Sequence, residues 1–323
     1  MNVLVTGAAG FIGSQLSRRL LREGAHVIGV DSFADFYPRW IKERNLSPFA
    51  GDRNFEFFPQ DLLEVDLEKI LARVDLVYHL AAQAGVRSSW GENFSVYIQN
   101  NIQSTQRLLE AAKGKPLHKL VYASSSSVYG MTPTLPMSET SLLYPLSPYG
   151  VTKLAAEQLC FLYFQNYGVP TVALRFFTVY GPGQRPDMAF HRFFRAIDEG
   201  RPIVLFGDGE QTRDFTYVDD IVEASLSASR RGRPGEVYNI GGGHRERLSD
   251  LFPVLEETCG KKFEVVREER QKGDVFHTFA DIQKARLDLG YSPRTVLKDG
   301  LREEWDWIRS LYQAENEPNR GLK

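Results

Sequence analysis

Near its amino terminus the chain reads Thr6-Gly7-Ala8-Ala9-Gly10-Phe11-Ile12-Gly13. The apolar run Asn2–Thr6 predicts a buried strand before this stretch, and the apolar spacing of Ile12–Glu23 predicts a helix after it. The three glycines permit, in order, a tight turn, a close approach of the backbone to a pyrophosphate and close packing of the helix. The free N–H groups at the helix start would then face the phosphates. Strand, turn and helix in this order predict a dinucleotide site, with a purely structural glycine turn as the alternative.

An acidic residue, Asp31, ends the second predicted strand, His26–Asp31, and lies 18 residues after Gly13. A carboxylate there can accept hydrogen bonds from both hydroxyls of a ribose and would repel a 2′-phosphate, so the sequence favours NAD over NADP. Two further segments could approach the cofactor, namely Asp61-Leu62 and the small residues of Leu80-Ala81-Ala82. As a single exposed acid, Asp61 could instead cap a helix.

Strand-like apolar runs alternate with helical stretches through the first half of the chain. The runs are Asn2–Thr6, His26–Asp31, Phe55–Phe58, Leu76–Leu80, Lys119–Ala123 and Thr171–Phe176, and the main helical stretches between the later runs are Tyr97–Lys113 and Pro148–Tyr167. This alternation predicts an α/β protein with a doubly wound parallel (Rossmann) sheet. After Phe177 the pattern ends, and Thr178–Ala189 indicates an ordered loop. We therefore expect an NAD-binding domain at residues 1–176, to which later segments return, and a smaller, mostly substrate-binding lobe at residues 177–323.

The composition limits the class of protein. The chain has 323 residues and a net charge of -2, which gives no case for a nucleic-acid surface. Its two cysteines, Cys160 and Cys259, are far apart in the sequence and predict neither a disulfide framework nor a zinc site, so no metal is expected. The start of the chain has no signal-peptide pattern, and no apolar run approaches the roughly 18 residues of a membrane helix. We expect a soluble, cytoplasmic protein.

A tyrosine and a lysine four residues apart, Tyr149 and Lys153, would lie on one face of a helix that starts near Pro148. A lysine ammonium and a positive nicotinamide ring nearby would favour the phenolate and lower the tyrosine pKa from about 10 toward neutrality. Tyr149 is therefore a candidate base for an alcohol proton. One hydroxyl of the serine run Ser124–Ser127, at the end of a predicted strand, could share that proton; a polar strand cap is the alternative.

Together these motifs resemble the extended short-chain dehydrogenases, the NAD-dependent epimerase/dehydratase family that acts on nucleotide sugars. The matching motifs span nearly the whole chain: Thr6–Gly13, Leu80-Ala81-Ala82, Asn100–Thr105, Ser124–Gly130, Ser147–Lys153, Arg175–Pro182, Phe206–Gly209, Arg213–Asp220 and Gly273-Asp274. The resemblance implies that Ser125, Tyr149 and Lys153 form the catalytic triad. It also implies an NAD site. Its residues are Tyr149, Lys153, Gly7, Gly10, Phe11, Ile12, Gly13, Asp31, Asp61, Leu62, Leu80, Ala81, Ala82 and Asn101.

A site for a nucleotide sugar follows from the same resemblance. Arg213 would face the diphosphate, Asp274 the uridine ribose, and Phe206 would lie near the base. Arg87 and Arg192 are further candidates for contact with the substrate. For each arginine the alternative is a surface ion pair, which contributes little to stability.

Related enzymes differ at the two positions before Val128. Dehydratases need an acid pair there and decarboxylases carry a glutamate, whereas this chain has Ser126 and Ser127, so the resemblance favours epimerisation at carbon 4. In the implied cycle, Tyr149 accepts the 4-hydroxyl proton with help from Ser125 while hydride passes from carbon 4 to NAD. The 4-keto sugar then turns over and receives the hydride on its other face, so that NAD can stay tightly bound.

The stretch Arg185–Arg192 looks most like UDP-glucuronate 4-epimerases. Oxidation of glucuronate at carbon 4 gives a β-keto acid that readily loses carbon dioxide, so such an epimerase must hold the carboxylate. The Arg185 guanidinium could hold the carboxylate through charge-assisted hydrogen bonds, together with the hydroxyls of Thr178, Ser126 and Ser127. The expected reaction converts UDP-glucuronate to UDP-galacturonate. The alternatives are a UDP-glucose 4-epimerase, in which an asparagine replaces Thr178, a UDP-glucuronate decarboxylase or nucleotide-sugar dehydratase, and a non-catalytic NAD sensor.

Two predicted helices, Tyr97–Lys113 and Pro148–Tyr167, carry apolar stripes. In related enzymes the equivalent helices pair across a two-fold axis, so we expect a homodimer. A stripe that faces the protein's own core is the ordinary alternative.

Overall fold

A computed structural model describes residues 1–132 and 134–316. The strands are β1 (Asn2–Thr6), β2 (His26–Val30), β3 (Phe55–Phe58), β4 (Leu76–His79), β5 (Lys119–Ser125), β6 (Thr171–Phe176), β7 (Thr178–Tyr180), β8 (Ile203–Phe206), β9 (Thr212–Arg213), β10 (Phe215–Tyr217), β11 (Val237–Ile240), β12 (Glu246–Arg247) and β13 (Val265–Glu268). The α-helices are α1 (Phe11–Arg22), α2 (Arg39–Leu46), α3 (Leu67–Leu71), α4 (Phe94–Tyr97), α5 (Ser104–Ala112), α6 (Pro148–Tyr167), α7 (Ala189–Asp198), α8 (Val218–Arg231), α9 (Phe252–Cys259), α10 (Gln283–Leu289) and α11 (Leu297–Asn316).

A seven-stranded parallel sheet forms the centre of the protein, with the order β11-β6-β5-β4-β1-β2-β3. β1 pairs with β2 on one side and with β4 on the other. After β1 the chain adds β2 and β3 on one side of the sheet and then β4, β5 and β6 on the other side of β1. The strand order therefore reverses between β1 and β4. In open α/β sheets, ligands bind beyond the carboxyl ends of the strands at this point. The predicted doubly wound α/β fold is confirmed.

Alternate residues of β1 pack into two apolar clusters, which shows that both faces of the sheet are covered. Val3 and Val5 belong to one cluster, together with Leu16 of α1. Leu4 belongs to the other cluster, together with Leu108 of α5. All five side chains are fully buried, and burial of each contributes about 1.5–3 kcal/mol to stability. A near-continuous apolar run is what a strand buried on both faces requires.

The helix that carries Tyr149 and Lys153 has well-defined ends. Ser147 is its N-cap, and the Ser147 hydroxyl accepts a hydrogen bond from the Gly150 N–H at 3.1 Å. Pro148 occupies the first turn, where its missing N–H costs nothing. Gly168 follows the last residue with φ 68°, the left-handed conformation that commonly ends a helix. These caps confirm the predicted helix Pro148–Tyr167.

Two predicted elements differ from the structure. The helix predicted at Tyr97–Lys113 is interrupted by a π-helical segment, Ile98–Gln103, that lies between α4 and α5. Such a widened turn does not show in the spacing of apolar residues. The predicted loop Thr178–Ala189 begins with β7, which pairs in parallel with β10, because a three-residue strand held by a distant partner leaves little local pattern.

Later segments of the chain return to the central sheet. β11 forms its edge through parallel pairing with β6, whereas β8 and β13 form a separate two-stranded sheet. The described residues stop at 316, so the end of the lobe predicted at residues 177–323 lies outside them. Within the described part of the chain, no helix combines the length and the apolar character needed to cross a membrane.

Candidate active site

A cleft of about 640 Å³ lies beyond the carboxyl ends of the central strands. Its walls contain nearly every residue that the sequence predicts for the site: Gly7, Gly10, Phe11, Ile12, Gly13, Asp31, Asp61, Leu62, Leu80, Ala81, Ala82, Arg87, Ser125, Ser126, Ser127, Tyr149, Lys153, Thr178, Arg185, Arg192, Phe206, Arg213 and Asp274. Asn101 is the exception among the predicted residues. The fold thus gathers side chains from residues 7 to 274 around one cavity.

The glycine turn is packed too closely to accept side chains. Gly7 has φ +73°, and a Cβ on it would lie 2.8 Å from the Ala81 backbone nitrogen. A Cβ on Gly13 would lie 2.0 Å from the Gly7 carbonyl oxygen. Gly10 is the N-cap of α1 and provides no side-chain acceptor for the free N–H groups of the first turn. The N-terminus of α1 can therefore donate hydrogen bonds to an anion in the cleft.

The Asp31 carboxylate lies beside this turn at the end of β2. Its oxygens accept hydrogen bonds from the N–H groups of Ala9 at 3.1 Å and Phe33 at 2.8 Å. Burial raises the pKa of Asp31, while the nearby Lys42 ammonium and the backbone N–H groups oppose that shift. The carboxylate is thus fixed in orientation by the backbone before any ligand arrives.

Two further cofactor candidates take part in backbone interactions. Asp61 lines the cleft, and its Oδ1 accepts the Leu63 N–H at 2.8 Å, so it stabilises a turn rather than a helix end. Asn101 is buried away from the cleft wall. Its amide nitrogen donates to the Gln83 carbonyl at 3.0 Å and to the Thr152 hydroxyl at 2.9 Å. Asn101 therefore joins the segment after β4 to α6, and its contact with the cofactor stays a prediction.

The structure distinguishes the serines of the run after β5. Ser125 and Tyr149 line the same cleft, and Ser125 acts to lower the pKa of the Tyr149 phenol. Ser125 Oγ also accepts the Ser127 N–H at 3.1 Å, which fixes the short helical turn that follows. The Ser124 hydroxyl instead donates to Glu157 Oε2 at 2.6 Å. Ser125 is therefore the serine that the fold places against Tyr149.

The Tyr149 side chain is half-buried and lines the cleft. Loss of hydration raises the pKa of its phenol, while Ser125 and the positive charge of Arg185 act in the opposite direction. The Tyr97 ring packs edge-on against the Tyr149 ring, with the ring centroids 6.2 Å apart. In the protein alone the net pKa shift is upward, the reverse of the lowering predicted for the site with its cofactor.

Lys153 is almost completely buried one turn further along α6. Its Nζ lies 4.5 Å from the centre of the Tyr122 ring. Burial lowers the pKa of Lys153 to about 7, although Cys160 and Glu157 favour the charged form. The lysine is therefore poised to change its charge near neutral pH, a property that the residue spacing alone does not indicate.

Two arginines flank one aromatic ring at the far end of the cleft. The guanidinium carbons of Arg87 and Arg192 lie 4.3 Å and 5.0 Å from the centre of the Phe206 ring. Arg87 also forms an ion pair with Asp274 at 2.8 Å. Arg213 donates to the backbone carbonyls of Thr212 and Phe276, and burial lowers the pKa of its guanidinium. These groups form a concentrated positive region.

Arg185 already has an anionic partner within the chain. It donates from Nε and Nη2 to the two carboxylate oxygens of Asp187, each at 2.9 Å. Burial opposes the charge of Arg185, but the adjacent Asp187 carboxylate raises the guanidinium pKa above its ordinary value. Thr178 lines the same cleft. The residues predicted to bind the substrate carboxylate therefore line one cleft. One edge of the Arg185 guanidinium, however, is already paired with Asp187.

Some residues of the cleft are missed by sequence reasoning. Phe36, Tyr37 and Lys42 line it from the segment after β2, and Asp187 lines it from the loop before α7. Irregular loops have no periodic pattern that would mark such side chains. The proximity of Asp187 to Arg185 in the sequence was the available signal. Among the described residues, no group of three or more His, Cys, Asp or Glu side chains could hold a metal ion.

Comparisons with known proteins identify the family of this chain. The chain is 47% identical over 319 residues to an uncharacterized UDP-glucose epimerase of Bacillus subtilis (strain 168), covering 98% of this chain and 100% of that one. It is 41% identical over 311 residues to a UDP-glucuronate 4-epimerase of Thermodesulfobacterium geofontis (strain OPF15), covering 95% of each. A crystal structure of UDP-glucuronic acid 4-epimerase from Bacillus cereus in complex with UDP-glucuronic acid and NAD has a TM-score of 0.94 and 47% identity, covering 97% of this chain and 100% of that one. Residues 3–241 match the corresponding family model, and the chain belongs to the NAD dependent epimerase/dehydratase family.

Proposed function

We propose that this protein is a 4-epimerase that converts UDP-glucuronate to UDP-galacturonate through a 4-keto sugar, with tightly bound NAD. The observation that carries the proposal is that Ser125, Tyr149 and the buried Lys153 line one cleft together with the glycine turn. The names of the relatives from T. geofontis and B. cereus support the choice of sugar. The neutral side chains of Ser126 and Ser127 support epimerisation over dehydration or decarboxylation, which require an acid at that position.

The glycine turn fits a dinucleotide, because a Cβ at Gly7 or Gly13 would collide with the backbone of Ala81 or of Gly7, so only glycine allows the tight turn that leads into the free N-terminus of α1. The N-terminus of α1 would bind the pyrophosphate, and the Asp31 carboxylate would accept the hydroxyls of the adenosine ribose. The segments Asp61-Leu62 and Leu80-Ala81-Ala82 would contact the remainder of the cofactor. When bound, NAD supplies a reversible acceptor for the hydride at carbon 4.

Tyr149 is the proposed general base. Its phenolate accepts the proton of the sugar 4-hydroxyl and later returns a proton to the oxygen at the same carbon. Ser125, which lines the cleft beside Tyr149, would donate a hydrogen bond to the oxygen that carries the changing charge. The Lys153 ammonium stabilises the phenolate and binds the cofactor ribose. Burial of Ser125 and Lys153 strengthens these interactions relative to water.

The carboxylate of the uronate is the feature that selects the substrate. Arg185 would hold it together with the hydroxyls of Thr178, Ser126 and Ser127, and so discourage loss of carbon dioxide from the keto acid. A UDP-glucose 4-epimerase is the second candidate. Two observations favour it: the name of the B. subtilis relative, and the Asp187 carboxylate that already occupies Arg185.

The far end of the cleft would bind the nucleotide. Arg213 and Arg192 carry the charges for a diphosphate, and the Phe206 ring offers a flat surface for the base. Asp274 would accept hydroxyls of the uridine ribose, with Arg87 fixing its orientation through their ion pair. On this basis residues 1–176 form the NAD-binding domain and residues 177–323 mostly the lobe that binds the nucleotide sugar.

A homodimer is also part of the proposal. α6 exposes Val151, Phe161, Leu162 and Tyr167 by 48%, 43%, 50% and 57%, so its outer face is apolar as well as its inner one. An apolar face of this kind is typical of helices that pair across a two-fold axis. Light scattering at micromolar concentration should give twice the 36.7 kDa chain mass, and a monomer would contradict the homodimer.

A cytoplasmic location is also proposed, because a reducing cytoplasm suits the two free cysteines.

The decisive experiment incubates the purified protein with UDP-glucuronate and follows the sugar by proton NMR. We expect the signals of UDP-galacturonate to appear until both epimers are present at equilibrium. A parallel incubation with UDP-glucose tests the second candidate. Formation of a UDP-pentose would instead identify a decarboxylase, and no change in either sugar would contradict an epimerase.

A further inference from the structure

A buried ion pair joins α6 to the central sheet one helical turn beyond Lys153. Arg175, on β6, donates from Nη2 and Nε to the two carboxylate oxygens of Glu157, at 2.6 Å and 3.0 Å. The two side chains are only 4% and 2% exposed. Glu157 follows Lys153 by four residues, and Lys153 follows Tyr149 by four, so the three lie on one face of α6.

The same ion pair reaches the strand that carries the catalytic serine. The Ser124 hydroxyl donates to Glu157 Oε2 at 2.6 Å, and Ser124 is the immediate neighbour of Ser125 on β5. On its other side, Arg175 donates from Nη1 to the Tyr129 hydroxyl at 2.8 Å. The carboxylate thus holds one side chain from each of β5 and β6, and the β5 residue is the direct neighbour of Ser125.

Burial of two charges seldom stabilises a fold by itself, because the loss of hydration offsets the attraction between them. Fixed bidentate geometry does restrict how the paired elements can move. We propose that Glu157 and Arg175 are positioning residues, which fix α6 against β5 so that Tyr149, Lys153 and Ser125 keep their mutual placement and Lys153 keeps its charge. This inference rests on the roles proposed above for those three residues.

The second half of the proposal follows from the groups that surround Lys153. Glu157 and Cys160 come from α6 itself, His79 from β4 and Tyr122 from β5. Arg175 of β6 reaches this group through its ion pair with Glu157. Burial lowers the pKa of His79 to about 3 and raises the pKa of Cys160 and of Tyr122, so these groups are neutral at pH 7. Glu157 supplies the negative charge that favours the ammonium form of Lys153.

The test compares two variants that break the pair from opposite sides. In Glu157→Gln the Arg175 cation loses its counter-charge, so Lys153 should lose its proton more easily. The alkaline limb of the pH profile of kcat should therefore move to lower pH by about one unit. In Arg175→Met the Glu157 anion remains alone, and the same limb should move up. Both variants should lower kcat at the optimum by about ten- to a hundredfold, because the reacting groups are less well placed.

Arg175→Lys is the matched control. It keeps the positive charge but loses the bidentate geometry, so it should lower kcat and leave the alkaline limb in place. A purely structural role predicts loss of activity in all variants with no opposite shifts. Limbs that move in the same direction, or do not move, would overturn the proposal.

A direct readout separates this inference from the proposed function. In protein labelled with ¹⁵N-lysine, an NMR pH titration of the Lys153 amine should show its pKa lowered in Glu157→Gln and raised in Arg175→Met, whether or not any sugar is converted. If Arg175→Met does not fold, Ser124→Ala replaces it. That variant leaves the ion pair intact, so kcat should fall while the Lys153 titration stays unchanged, and a shifted titration would count against the proposal.

Discussion

Arg185 donates two hydrogen bonds of 2.9 Å to the carboxylate of Asp187. A guanidinium has five N–H donors, so this pairing leaves three for another acceptor. Asp187 therefore occupies the place that a second carboxylate would take on that edge, and it orients the remaining donors. The substrate carboxylate would have to use the free edge or displace Asp187.

Arg185→Ala should reduce the preference for UDP-glucuronate over UDP-glucose. Loss of a charge-assisted contact in a closed site costs roughly 1.5–3 kcal/mol, or about ten- to a hundred-and-fifty-fold in kcat/KM. The measurement is kcat/KM for both sugars, together with a search for a UDP-pentose formed by leakage of carbon dioxide. Asp187→Asn is the control: it keeps Arg185 but removes the competing charge. Equal use of both sugars by the unaltered protein would favour a UDP-glucose 4-epimerase.

Asp31→Ala should narrow the gap between the affinities for NAD and NADP. In the proposed site the unaltered carboxylate would bind the ribose hydroxyls and repel a 2′-phosphate, so NAD should bind far more tightly. The variant should lose NAD affinity by about ten- to a hundredfold, the scale of hydrogen bonds to a charged group. Calorimetric titration with both cofactors checks this, and equal affinities in the unaltered protein would refute the assignment.

Tyr149→Phe removes the ionisable oxygen and keeps the ring packed against Tyr97. NAD should remain bound, while epimerisation should fall by at least about a hundredfold, the usual scale for loss of a general base. Ser125→Ala should have a smaller effect in the same direction. Retention of a tenth or more of the normal turnover in Tyr149→Phe would mean that another group is the base.

Gly13→Ala should weaken NAD binding and destabilise the fold. The new methyl group would lie 2.0 Å from the Gly7 carbonyl oxygen, so the turn and α1 must separate. Overpacking of this kind costs about 1–3 kcal/mol. Gly51→Ala is a matched control, since a Cβ there meets no atom within 4 Å. Urea unfolding and NAD titration of both variants provide the comparison, and identical behaviour would contradict the close packing.

Lys153 should make stability depend on pH. Its pKa is lowered to about 7 in the folded protein, against about 10.4 in an unfolded chain, so between these values the unfolded state binds more protons. The free energy of unfolding should therefore rise with pH from about 7 to about 10 through this group. Relative to Lys153→Met, the unaltered protein without NAD should gain stability over that range. If the free energies of unfolding in urea of the two proteins differ by the same amount at pH 7, 8 and 9, the lowered pKa of Lys153 is refuted.

The parts of the molecule that the sequence predicts well are those encoded locally. Gly7 and Gly13 sit in a strand–turn–helix whose spacing is diagnostic, and Pro148–Tyr167 carries its own caps. The edge strand β11 and the short β7 depend on partners far along the chain, so their positions in the sheets could not be read from the residues around them.

For the candidate site, the identity of the residues was easier to predict than their pKa values and their side-chain partners. The sequence places Tyr149 and Lys153 on one face of a helix, but their pKa shifts come from burial, which depends on the whole fold. The pairing of Arg185 with Asp187 depends on the conformation of a loop without regular structure. Asn101 matches a family motif, yet its amide binds Gln83 and Thr152, a distinction that only coordinates reveal.

The π-helical segment Ile98–Gln103 is a wide turn that holds an extra residue between α4 and α5. Deletion of one residue from this segment can therefore be absorbed, because the wide turn becomes an ordinary α-helical turn and the helices on either side keep their orientation. Each residue of an α-helix turns the chain by about 100°, so a deletion within α5, which has no wide turn, would rotate everything before it by that amount. That rotation would carry the Tyr97 hydroxyl away from the carbonyls of Ala84 and Gly85, which it now contacts at 2.8 Å and 2.9 Å. Single-residue deletions should therefore be tolerated better in the π-helical segment than in α5.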